Sequence, residues 1–148
     1  MKRGLTKFVR GTGGQSIVEF ALILPMMLVV MFMITEFGRA LYQYNIMTSA
    51  TRAGARQASV AGSGNYVQVA TDVADSILTA GHINPNTVTL AVTVDNNFGN
   101  ANIHVIKVTA DKTFDWAFKG PLTMLGGAQV SKKGLNLHAE TFMHAETF

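Results

Sequence analysis

Gly14-Gln-Ser-Ile-Val-Glu19-Phe-Ala-Leu-Ile-Leu-Pro25 opens an apolar run that continues to Ile34. The 21 residues Ile17–Phe37 would form a helix about 31 Å long, roughly the thickness of one bilayer core. Length and composition therefore predict a membrane span. Glu19 conflicts with a plain anchor, because a charged side chain costs about 2.5–3.5 kcal/mol at a bilayer centre. A carboxylate kept near such a run calls for a partner, or for a position at the lipid headgroups to which it can snorkel.

Upstream of the run, residues 1–14 hold Lys2, Arg3, Lys7 and Arg10 and no acid, whereas the rest of the 148-residue chain has 8 basic and 9 acidic residues. The net charge of +3 is thus a property of the leader. The folded part lacks the basic face with interleaved aromatics that nucleic-acid binding would need. Basic residues just before an apolar segment instead hold the N-terminus in the cytoplasm and send the rest across. A secretory signal has its small-residue cleavage site after the apolar region, but Gly14 precedes it, so a cut there would leave the apolar segment on the mature chain. The chain has no cysteine, which excludes a disulfide framework and a thiolate metal site.

Downstream, Glu36-Phe-Gly-Arg39 and the residues after it carry no strong break, and one helix is expected over about 17 to 60. Phe37, Leu41, Tyr44, Ala55 and Ala58 fall near one stripe of it, with Arg52 and Arg56 on another. Ala61-Gly-Ser-Gly-Asn65 reads as a loop with Asn65 as helix cap, and Tyr66 to Leu78 as a second short amphipathic helix that Gly81 closes. From Thr87 the period changes to 2. Val88, Leu90, Val92 and Val94 alternate with polar or small residues, Asp95–Asn100 is a turn, and Ile103, Val105, Ile106 and Val108 form a return strand with a bulge or two-sided burial at Ile106. Lys112–Lys133 reads as a long loop, and Leu135–Phe142 as a third strand. The chain ends in a direct repeat, His138-Ala-Glu-Thr-Phe142 and His144-Ala-Glu-Thr-Phe148, too short for a repeat architecture and read as a small tandem duplication or an expression remnant. The fold class is α+β: a long N-terminal transmembrane and amphipathic helix, a short helix and a small antiparallel sheet of about three strands.

Gly14 followed by Glu19, between a basic leader and an apolar helix, is a type IV prepilin pattern. Together with Glu36-Phe-Gly-Arg39 and Ala50-Thr-Arg-Ala-Gly-Ala-Arg56, it resembles the TadE-like pseudopilins of tight-adherence (Flp-type) pilus systems over roughly residues 12–60. The resemblance implies cutting by a membrane-embedded prepilin peptidase between Gly14 and Gln15. It also implies register and assembly roles for Glu19, Phe20 and Pro25. Physically, glycine lets the backbone enter a narrow protease cleft, and a carboxylate buried in a helical bundle is tolerable when paired. The new α-amino group at Gln15, on this subunit or a neighbour, is an available cation for Glu19. Pro25 lacks an amide donor and is read either as a simple kink or as a flexibility point. Glu36, Arg39, Arg52 and Arg56 are candidate inter-subunit contacts, a solvated arginine stripe being the plain reading of the last two.

His82, His104, His138 and His144 lack the local spacing of a metal site, and no catalytic triad, paired catalytic carboxylates or phosphate-binding loop stands out. The expectation is a non-enzyme without cofactor, metal, nucleic acid or small-molecule substrate. Residues 1–14 form a cleaved leader, 15–37 a transmembrane and assembly helix, and 38–148 an extracytoplasmic domain. The implied function is a minor or accessory pseudopilin in a bacterial inner membrane, single-pass with a cytoplasmic N-terminus, and open to incorporation in an extracellular pilus. Its implied partners are a prepilin peptidase, other pilins, an inner-membrane platform protein with its ATPase, and the bilayer. Two alternatives stay open: a major filament-forming pilin, and an uncleaved single-pass envelope binding protein.

Overall fold

The computed structural model describes residues 12–61, 64–96, 104–117 and 134–145. In chain order its elements are α1 (Thr12–Val60), α2 (Tyr66–Ala80), a 3-10 turn (Pro85–Thr87), β1 (Thr89–Asp95), β2 (Val105–Phe114) and β3 (Leu135–His144). The α+β class, the two helices and the three antiparallel strands agree with the sequence reading. The chain divides into two units, Met1–Thr35 and Glu36–Phe148.

Within the second unit the sheet has the order β1-β2-β3 with both pairings antiparallel. Period-2 alternation sends Ile106, Val108, Ala110 and Phe114 of β2 inward, with Leu137 and Ala139 of β3 beside them, all buried. Leu90, Val92 and Val94 of β1 complete this face half-buried. Pairing is one-to-one from Val105 to Asp111 on the β1 side, so there is no bulge at Ile106. Val105 and Ile106 are instead both buried, which is the two-sided burial that the broken alternation suggested.

β2 extends further than the sequence reading put it. Lys112, Thr113 and Phe114, expected in a long loop, pair with Leu137, Asn136 and Leu135 of β3. Their polar start hides the period, because Lys112 takes an inward-side position opposite Leu137. Burial holds the Lys112 ammonium below its ordinary pKa, partly offset by the charge of Asp115. The rest of the expected loop, 118–133, lies outside the described residues, as do most of the expected 95–100 turn and part of the loop before α2.

Within the second unit, the buried face of α1 keeps Ala55 and Ala58 of the expected stripe and leaves out its larger members. Phe37, Leu41 and Tyr44 are exposed, while Glu36, Ala40, Met47, Ala50, Thr51, Ala55 and Ala58 are buried. At Gly54 the approach is tight: a Cβ there would stand 2.8 Å from the backbone oxygen of Ala70, so α1 and α2 meet there without room for a side chain. α2 contributes Ala70, Ala74 and Leu78 at four-residue spacing to the same interior.

α2 ends in a double-bonded cap. His82 N–H donates to Thr79 O at 3.0 Å and Ile83 N–H to Leu78 O at 2.8 Å, with buried Ile83 and Leu78 in one core cluster, the arrangement of a Schellman motif. Gly81 is the C-cap, as expected, but its φ is −81°. The left-handed position falls on His82, at φ 55°. Glycine serves a different need at 81, since a Cβ there would lie 2.6 Å from the Ile46 side chain. Asn65 occupies the N-cap of α2 but makes no side-chain capping bond.

Candidate functional site

In the first unit, α1 displays its apolar side chains outward. Thirteen large hydrophobic residues from Ile17 to Ile34 are exposed. At about 1.5 kcal/mol or more for each apolar side chain removed from water, covering this surface is worth of order 20 kcal/mol. α1 is long and apolar enough to cross a membrane, with a mean hydropathy of 2.6 over its most apolar 18 residues.

The residues singled out from sequence lie along this helix. Nothing stands within 4 Å of the place a Cβ at Gly14 would occupy, and Gly14 lies within the first turn of α1. Gln15 Nε2 donates to Glu19 Oε1 at 3.0 Å, one helical turn away. Glu19 is exposed and Phe20 is 60% exposed. α1 continues through Pro25.

The second unit places Glu36 quite differently. It is 4% exposed and accepts three hydrogen bonds: two from Arg39 Nη1, at 2.9 and 3.1 Å, and one from the Ala117 backbone N–H at 3.3 Å. The Arg39 guanidinium lies 5.4 Å from the centroid of Phe114, whose ring meets Trp116 edge-on at 5.4 Å. Glu36 and Arg39 are thus engaged within their own chain, joining α1 to the segment after β2. Among the described residues, Gln43 Oε1 and Trp116 Nε1 are buried without a hydrogen-bond partner. Arg52 and Arg56 are exposed.

His138, by sequence a surface or strand-face histidine, lies on the outer face of β2 and β3 and has partners there. His138 Nδ1 lies 2.6 Å from Asp111 Oδ1, and Lys107 Nζ is 2.9 Å from Glu140 Oε2 while also lying 5.2 Å from the Phe142 ring centroid. Hydrogen bonding to Asp111, then to Glu140, raises the His138 pKa above its ordinary value. Lys107 first, then His138, holds the Glu140 carboxyl below the usual carboxylate range. The missed signal was the correct length of β2, which brings Asp111 opposite His138.

Residues 14–56 match the family described as TadE-like protein. The chain carries a TadE-like N-terminal segment. No curated protein and no solved structure matches the chain. Gly14, Gln15, Glu19, Phe20, Pro25, Glu36, Arg39, Arg52 and Arg56 all fall inside the TadE-like segment. TadE-like proteins are structural, pilus-associated proteins and not an enzyme family. The segment and its apolar helix fit a membrane-anchored, pseudopilin-like protein associated with pilus components.

Proposed function

We propose that this chain is a minor or accessory pseudopilin of a tight-adherence type IV pilus or secretion assembly, cut between Gly14 and Gln15. Residues 1–14 are its leader, 15–37 its membrane and assembly helix, and 38–148 its extracytoplasmic domain, with the leader on the cytoplasmic side. The observation that carries this reading is the exposed apolar surface of α1 with Gly14 and Glu19 at its start, inside the TadE-like match.

Lipid covers that surface before assembly, and neighbouring pilin helices cover it afterwards. Glu19 sets axial register. In the uncut chain its neighbour is the Gln15 side chain, and after cutting the α-amino group of Gln15 adds a cation within reach of the same or an adjacent subunit. Phe20 and Pro25 shape this contact surface, and the exposed Arg52 and Arg56 face neighbouring acidic groups. Glu36 and Arg39 act within the subunit. A prepilin peptidase, other pilins and an inner-membrane platform with its ATPase are the partners this function requires.

The test is the N-terminal mass of protein recovered from membranes, with and without Gly14→Ala. A chain beginning at Gln15 in the parent and an uncut chain in the variant is the expected pair. Retention of Met1–Gly14 in the parent would overturn the proposal.

A further inference from the structure

The terminal repeat acquires a meaning from the strand register. His138-Ala-Glu-Thr-Phe142 and His144-Ala-Glu-Thr-Phe148 are offset by six residues. An even offset keeps every side chain on the same face when a strand slides by that amount. The first copy pairs with β2 as His138 with Asp111, Ala139 with Ala110, Glu140 with Thr109, Thr141 with Val108 and Phe142 with Lys107.

Four of these five positions make contacts that depend on side-chain identity. His138 meets Asp111, Glu140 meets Lys107, and Phe142 lies under the Lys107 ammonium. Thr141 Oγ1 is 3.0 Å from Thr51 Oγ1 of α1. The fifth, Ala139, is 3% exposed and packs in the core. The second copy carries the same residue for each of these seats. Met143 would then stand opposite Lys112 in place of Leu137, a swap of similar volume that apolar interiors tolerate.

We propose that β3 has a second register against β2, six residues along, in which His144–Phe148 occupies the seats of His138–Phe142. The register of the present structure is the major one. Sliding moves Met143 and His144 away from Ile106 and Val105, which they face in the present register. It also vacates the seat of Ala145, which is 5% exposed and donates its N–H to His104 O at 2.9 Å. Five pairings are rebuilt in return, while the connection between β2 and β3 lengthens by six residues, about 20 Å of extended backbone, at a small entropic cost.

Because the chain has no cysteine, directly opposed cysteine pairs can report each register. In the full chain in detergent, Thr109→Cys with Glu140→Cys reports the present register, and Thr109→Cys with Glu146→Cys the second. The first pair should close rapidly under mild oxidation. The second should close within one chain about a hundredfold more slowly, as for a state near 1% occupancy. Adding Thr147→Arg, beyond the last ladder pair of the present register, should slow the second closure at least about tenfold, since the seat beside Thr51 has no room for arginine. Melting midpoints of all variants check that they fold.

No closure of the second pair while the first closes would overturn the proposal. So would closure insensitive to Thr147→Arg, or closure only between two chains. Failure of both pairs would overturn the register on which it stands.

Discussion

The two glutamates of α1 occupy opposite circumstances on one helix. Glu19 is exposed among large apolar side chains, with the Gln15 amide on it. Glu36 is buried and is bonded by Arg39 and the Ala117 N–H of its own unit. The first half of the helix therefore leaves its carboxylate available to something outside the chain, and the second half spends its carboxylate on internal order. Two acids with similar sequence surroundings thus carry separable roles, one in assembly and one in folding.

The contrast breaks most sharply at the core beneath Glu36. Phe114 is fully buried, and Arg39 lies against its ring. Phe114→Ala should lower the unfolding free energy by about 3–5 kcal/mol. Leu22→Ala in the first half should leave it within about 0.5 kcal/mol, both measured by denaturation in detergent. Next in size, Glu36→Leu removes the hydrogen bond from the exposed Ala117 N–H and should cost about 0.5–1.5 kcal/mol. The Arg39 pair adds little to that, because its side chain is 48% exposed. Glu19→Leu should leave stability unchanged yet reduce co-purification with other pilins. Equal assembly of parent and Glu19→Leu would erase the proposed difference between the two acids.

How much of this could be read from sequence follows the same divide. Along residues 14–35, hydropathy and one misplaced charge carry the information, so the apolar helix was legible. Of the buried face of residues 36–60, Ala55 and Ala58 were legible, but Glu36, Ala40, Met47, Ala50 and Thr51 were not, because polar and small residues interrupt any apolar stripe. The exposed Phe37, Leu41 and Tyr44 do give one, and it points the wrong way. The close approach at Gly54 depends on Ala70, a residue in another element. The end of β2 was hidden by Lys112 at an inward-side position, and the His138 cluster was hidden with it. Gly81 drew attention as a cap, yet the strained backbone sits one residue later.

That strain predicts a gain. His82 is exposed and holds φ 55°, so His82→Gly should raise stability by about 1 kcal/mol, measured as a higher denaturation midpoint. The smallest effect concerns pH. The raised pKa of His138 means that its contribution is fully present below its unfolded value of about 6.5 and fades as pH rises through the folded one. The lowered pKa of Glu140 means that its contribution is present above about 4.3 and fades as pH falls through the folded value. Stability should therefore be slightly greatest between these limits. His138→Gln, which also removes the Asp111 contact, should flatten the decline on the alkaline side in a pH series of melting curves.

The seam of Ala50, Gly54, Ala55 and Ala58 reverses the usual pattern of mutational tolerance. In an ordinary core, truncation is the damaging change, but here little side chain remains to remove and the helix backbone already stands against its neighbour. Enlargement is the hazard. A library scored for folded protein should tolerate only glycine, alanine and serine along this seam, and should accept almost any residue at the neighbouring Arg52, Arg56 and Gln57, which are exposed. The width of that tolerated set, position by position, would trace how closely the second half of α1 is held.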